Sequence, residues 1–569
     1  MDRNGYWTIG DMRRQSAILS GTVAPTLVLQ SAVYLNTYLK TWIKANIWTD
    51  RDRIVYVGNN MPVKTESTEI IDCSGLTLVP GYIEPHVHPG QLYNPQTLAQ
   101  YAAPLGTTAL ICDNALLVRS LTDEKAFQII EKLERLPETF YWWCRYDPQS
   151  EVYHSPFTDE RIYRWLHHPR VVQGGELTGW PRVVHGDDQM LSWMRATKHL
   201  RKPIESHLPG ASERTLTRLK LFGADGDHEA MTGDEALARL KLGYMVSLRY
   251  SPIRPDLPEI LRTLLKKGVR SFDHVTMTLD GATPGFLKKG VCDQLIQIAL
   301  EAGITPTDAY MMVSANIASH YHLGDRIGHI APGRIANINF LNDSLDPRPV
   351  SVLAKGRWVR RHNKMVADAF SGYDLAEDLT PLEITASPDT DSLQASTRTG
   401  IDMVNDVITR SFELEPGKQL PDSVLYLTLL DKKGTWIRNT YLRGFAARLS
   451  GFAGSFTATG DLLLMGRNKS DMITAFRRLK EIGGGLVIAG GGRVLAELSL
   501  PLLGCMSEEP MERLMHDAGQ FEQVLRRFGY GAGNPYFSLL FLSSTHLPYI
   551  RLTPKGLYDV MRRSLMEPE

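Results

Sequence analysis

The chain has 569 residues, 43% of them hydrophobic and 22% charged, with 63 Lys and Arg against 63 Asp and Glu. At that length more than one domain is expected, because single cores rarely grow past roughly 250–300 residues. The balanced charge disfavours nucleic acid or an anionic membrane as partner. Five widely spaced cysteines with no CxxC pair argue against both a disulfide framework and a thiolate zinc site.

The N-terminal run MDRNGYWTIGDMRRQ has no apolar h-region, so the expectation is a cytoplasmic protein. Residues 1–24 read as a polar helical extension. From Leu27 to about Gly58 short runs of β-branched and aromatic residues alternate with polar ones, which predicts a small antiparallel sheet. Between residues 81 and 330 apolar strands such as GTTALIC (106–112) alternate with helical stretches such as LTDEKAFQIIEKLERL (121–136). That alternation predicts an α/β fold, a (β/α)8 TIM barrel. The strands expected at 330–342 and 350–360 would return to the first sheet. Residues 25–80 and 331–365 would then form one discontinuous β-sandwich interrupted by the barrel. Residues 366–400, rich in Asp, Ser, Thr and Pro, read as a linker. Residues 401–569 read as a C-terminal α/β domain, its apolar strands without obvious cover, which suggests a homo-oligomer. The charge-free run from Phe528 to Ile550, with FSLLFL at its centre, is expected to be a buried strand and not a membrane span.

His86 and His88 stand two apart at the end of a strand, so both imidazoles point to one side, at the strand end where barrels keep their sites. Alone the pair is a weak signal. Glu176, His207, His228 and Asp280 follow, each at a predicted strand end or strand-to-loop turn. Four imidazoles and two carboxylates can hold two divalent cations, with Glu176 bridging; the set suits Zn, Mn or Fe. By contrast, Gly483–Gly485 and Gly490–Gly492 fit tight turns around a strand, because no phosphate-loop signature accompanies them.

VPGYIEPHVHPG, GGELTG, SHLPG and GDHEA, with the turn at Asp280, resemble the adenine deaminase family of the amidohydrolase superfamily. So do GFAARLSGFAGSF and LSLPLLGCMS in the third domain. The resemblance implies hydrolytic deamination of adenine, a purine base, to hypoxanthine and ammonia by metal-activated water. It implies metal ligands at His86, His88, Glu176, His207, His228 and Asp280, with Asp280 also the general base and then acid. Glu229 would meet the ring nitrogen. Arg249 matches a barrel arginine of the family and would bind substrate or orient carboxylates.

Three segments depart from the family pattern. Pro89-Gly90-Gln91-Leu92 replaces Ile-Glu-Ser-Ser. Asp113-Asn114-Ala115-Leu116-Leu117 replaces Asp-Pro-His-Glu-Ile. Thr457-Ala458-Thr459-Gly460-Asp461 replaces a His-Asp-x-His-Asn run. The altered surroundings leave open another amino-purine, a pterin-like ring or a cyclic amide as substrate, or a catalytically weak metal-binding protein.

Overall fold

The computed structural model describes residues 7–150, 154–415 and 420–566. It opens on the helix Ile9–Leu19, whose first turn is closed by a capping box between Thr8 and Asp11. Next comes a nine-stranded sheet, mixed where an antiparallel one was expected. Its central strand Leu27–Asn36 pairs antiparallel with Thr41–Asp50 but parallel with Glu69–Asp72 and Thr77–Pro80. The connections to the last two strands cross over instead of turning back, and local periodicity does not encode that. Thr77–Pro80 pairs antiparallel with Ile338–Leu341, with Val79 opposite Asn339. The segments before and after the barrel thus share one sheet.

The barrel is an eight-stranded parallel sheet whose spatial order follows the chain. Its strands are β1 (Tyr82–Val87), β2 (Thr107–Asp113), β3 (Thr139–Cys144) and β4 (Val171–Leu177), then β5 (Ile204–Ser206), β6 (Gly226–Asp227), β7 (Met245–Arg249) and β8 (Val275–Thr278). Every residue of these strands is buried, as expected of strands with side chains on one face and helices on the other. The adjacent tryptophans on β3 divide between those faces: Trp143 packs at a tilt of 34° against His86, ring centroids 4.5 Å apart, while Trp142 joins the main apolar core. The seam between β1 and β8 is closed by a side chain. Glu84 accepts from Thr278 Oγ1 (2.5 Å) and from the Leu279 amide (3.2 Å). Burial pushes the Glu84 carboxyl up to about 8.

After an irregular stretch carrying only the short 3-10 turn Leu375–Glu377, a second eight-stranded sheet runs from Thr399 to Ser499. Helix Lys469–Glu481 packs against this sheet's strands Gly451–Gly454 and Gly485–Gly490, and helix Met511–Arg527 against its edge strand Arg493–Ser499. The amides of Gly491 and Gly492 close on the Asp471 carboxylate at 3.2 and 2.8 Å. The run expected as a buried strand is instead the helix Pro535–Phe541. Asn534 caps it, accepting from the Tyr536 and Phe537 amides, and Pro535 occupies the first turn, where a missing N–H costs nothing. Among the described residues no helix is long and apolar enough to cross a membrane.

Candidate metal centre

Every barrel strand delivers a polar side chain to the mouth, at its end or in the loop just beyond. Two glycines before Glu176 have a steric reason. A Cβ on Gly174 would strike the Tyr146 hydroxyl, and one on Gly175, at φ +82°, would strike the Glu205 carbonyl. Asp280 follows β8 in a left-handed conformation, φ +49°, rare for a residue with a Cβ and common where a site fixes its geometry.

The six residues singled out as ligands converge. His86 Nε2 lies 3.1 Å from His88 Nε2. His88 Nε2 lies 2.9 Å from Asp280 Oδ1, and His86 Nε2 lies 3.7 Å from it. Glu176 stands between two histidine pairs. Its Oε2 is 3.6 Å from His86 and 3.9 Å from His88, while its Oε1 is 2.9 Å from His207 and 3.5 Å from His228. Donor atoms of His86, His88 and Asp280 fall within 4.8 Å of one another, as do those of His86, Glu176 and His228.

The donor set fits divalent cations by its chemistry. Two ring nitrogens are turned inward because carboxylates occupy their far sides. His88 Nδ1 meets Asp113 Oδ2 at 2.9 Å, and His228 Nδ1 meets Glu205 Oε1 at 3.1 Å. Such outer partners fix the ring that a metal uses. Burial and the nearby His228 lower His86 to about 4, so it stands as a neutral imidazole, the form that binds a metal. Burial would raise the Glu176 and Asp280 carboxyls, but Arg145 with His207, His228 and His86 in the one case, and Arg249 with His88 and His86 in the other, together outweigh it and hold both well below the usual range.

Glu229 is drawn in as well. Its Oε1 lies 3.5 Å from His207 Nδ1. Donor atoms of His207, His228 and Glu229 also fall within 4.8 Å of one another, which makes a third group able to hold a cation. Arg249 holds Glu229 through Nη1 and Asp280 Oδ2 through Nη2 at 2.8 Å. Arg254 Nη1 grips the other Glu229 oxygen at 2.8 Å. Against burial, His207 and these arginines bring Glu229 down to about 2, so the free site holds it ionised.

Several contributors are not singled out by the sequence. Arg145, fully buried, donates from Nη2 to Asp113 Oδ2 and to Glu176 Oε2, both at 2.7 Å. Asp113, Glu205 and Arg254 complete the network. From the third domain, His546 sets its ring 5.8 Å from that of His207. Burial and the nearby His207 depress His546 to about 3. Of these, only Asp113 and Glu205 carry a local signal, each lying on a strand within or beside a motif already named.

The three segments that depart from the family pattern meet in one place. A cavity of about 370 Å³ opens beside His88. Pro89, Gly90 and Gln91 line it, with Asp113, Ala115 and Leu116, and Thr457, Ala458, Thr459 and Asp461 face it from the third domain. Phe157, Trp436, Phe456 and Leu540 give it an apolar side. The wall is pinned across the two domains: Arg119 donates to the Ala458 carbonyl at 2.6 Å, and the Ser507 amide to the Leu92 carbonyl at 2.7 Å.

Comparison with known proteins agrees with this architecture. Residues 77–359 match the amidohydrolase family, and residues 403–564 match the adenine deaminase C-terminal domain. A Bacillus subtilis protein named "Putative adenine deaminase YerA" is 48% identical, covering 100% of this chain and 99% of its own. A Halalkalibacterium halodurans protein named "Putative adenine deaminase BH0637" is 47% identical over 99% of this chain and 98% of its own. More distantly, a Desulfatibacillum aliphaticivorans protein named "Adenine deaminase" is 27% identical, over 96% of this chain and 97% of its own.

Proposed function

Because the chain belongs to the adenine deaminase family, a family of hydrolytic enzymes on the amidohydrolase fold, we propose that its barrel mouth converts adenine to hypoxanthine and ammonia. The observation that carries this is Glu176, whose two oxygens face two separate histidine pairs, one of which includes His88 at the edge of a cavity.

His86, His88, Asp280 and Glu176 Oε2 would hold one divalent ion, and His207, His228 and Glu176 Oε1 a second, drawn from Mn, Fe or Zn. When bound, such ions supply a water that ionises near neutral pH and polarise the substrate. Asp280, ionised and steadied on Oδ2 by Arg249, takes the proton of the water that attacks the amino-bearing ring carbon. It then returns that proton to the departing amine, so the C–N bond breaks as ammonia leaves. Glu229, beside His207 and His228, is the group assigned to the ring nitrogen, to which it donates once it has taken up a proton. Arg249, engaged with both carboxylates, orients them. Five free, buried cysteines suit a reducing compartment such as the cytoplasm.

The test is turnover of adenine by protein loaded with Mn, Fe or Zn, with hypoxanthine followed by absorbance. Full metal occupancy without turnover would sink this reading. The altered cavity wall supports a second reading, in which the same chemistry serves another amino-purine or a pterin-like ring. Those compounds in the same assay separate the two.

A further inference from the structure

β3 is followed at the mouth by a cation, where its neighbours β2 and β4 carry carboxylates at or next to their last residue. Its last residue is Cys144, and the next, Arg145, reaches both ways around the mouth. On one side lies Asp113 at the end of β2; on the other lies Glu176 of β4. Four strands away, β7 ends in Arg249, which in the same manner joins Glu229, beyond β6, to Asp280, beyond β8. In a barrel of eight strands β3 and β7 stand opposite each other. The mouth is therefore held by two arginine clasps on opposite walls, each joining carboxylates from the strands that flank it.

We propose that Arg145 is a positioning residue for the metal centre, fixing the bridging carboxylate of Glu176 so that one oxygen faces each histidine pair. The geometry gives the reason. Nη2 takes Glu176 Oε2 and Asp113 Oδ2 together, and Nε takes the Asp113 oxygens at 3.1 and 3.2 Å. Asp113 in turn holds His88 Nδ1. One guanidinium thus sets the rotamer of the bridging ligand and, through Asp113, the ring of a terminal ligand. A lysine brings the same charge and can reach both carboxylates from one nitrogen, but without the planar Nε–Nη2 fork it cannot fix the plane of Asp113 behind His88.

The inference rests on the two-metal reading above, and its test keeps the two apart. Wild-type protein, Arg145→Lys and Arg145→Met are dialysed against graded chelator; bound metal is counted by mass spectrometry, and the melting temperature of each metal-free form is measured. The expected result is metal binding weakened ~10-fold or more in both variants, in line with the loss of a partner behind a ligand, with the metal-free Arg145→Met form melting below wild type because two buried carboxylates lose their cation, and Arg145→Lys melting between the two. Wild-type protein that binds no metal would overturn the metal reading itself. Wild-type binding in both variants would overturn the role of Arg145 alone. So would tighter binding in Met with no change in Lys, since that pattern marks a purely electrostatic effect. Should neither variant fold, a metal-loaded crystal structure of the wild type decides: Arg145 stays within hydrogen-bond distance of Glu176, or the proposal falls.

Discussion

The ring of ligands and the wall of the cavity lie side by side yet are built by opposite means. Each ring residue stands at or just beyond a strand end of the barrel sheet, and His88, Glu176, His228 and Asp280 each have a charged partner behind them. The wall is assembled from the loop after β1, the turn and helix after β2, and strand connections of a separate domain, joined by single hydrogen bonds such as Arg119 to Ala458. Rigid strand ends hold reacting groups in place while loops alter what fits against them, a division that lets one barrel chemistry serve several substrates. In this chain the six side chains expected as ligands come together in the ring, while the three segments read as departing from the family pattern line the wall.

The largest expected effect lies in the ring. Asp280→Asn keeps the shape of the turn and removes the base, so turnover should fall by about 10²–10⁴-fold. At least one metal should stay bound, because His207, His228 and Glu176 are untouched. Steady-state rates alongside metal analysis check both halves. Near-normal turnover would show that another group takes the proton.

A smaller effect, and of a different kind, is expected at the wall. Gln91 lines the cavity, and its amide lies against Gly281, the residue after Asp280; a Cβ there would come within 2.5 Å of Nε2. Gln91→Ala should raise KM roughly five- to tenfold, the worth of one hydrogen bond of about 1 kcal/mol, with kcat and metal content unchanged. A loss of metal in step with the loss of binding would mean that ring and wall are one unit, and the comparison would break.

The same contrast explains what can be read from the sequence. His86 and His88 are legible because a period of two puts both on one side, and Glu176 because two glycines precede it where no Cβ fits. Arg145 is not legible. In FYWWCRY it follows a tryptophan pair like any strand-terminal arginine, and only barrel closure brings β2 and β4 to either side of it. Nor does the sequence show that residues 457–461 face the barrel mouth, since that depends on how the two domains dock. The helix Pro535–Phe541 passes for a strand because FSLLFL is apolar but for Ser538 and too short to show a helical period, although Asn534-Pro535 is a helix-start signal. Parallel pairing in the first sheet is hidden for the reason Arg145 is: it is decided by how distant stretches of chain come together.

The smallest effect separates stability from recognition within the wall. Asp461 stands in the third domain where the family places its histidine-rich run, and it faces the cavity. Burial raises its carboxyl from 3.8 to about 6, an effect that Thr459 and Arg119 only partly offset. The folded state thus holds this proton more tightly than the unfolded chain does. The associated stability is complete below the unfolded value near 4 and is lost as pH rises through about 6. At neutral pH the ionised group costs at most ~1–3 kcal/mol. Asp461→Asn should therefore melt with wild type at pH 4 and above it at pH 7.5, a difference that thermal unfolding at the two pH values measures. A protein that keeps a costly carboxylate in its cavity wall is expected to use it, and the N–H groups of an aminated ring are what such a group would accept from. The stabilised variant should then bind substrate more weakly at neutral pH, by a rise in KM with kcat retained. If it gains stability and keeps its KM, Asp461 takes no part in recognition, and the specificity of the wall rests with the barrel loops.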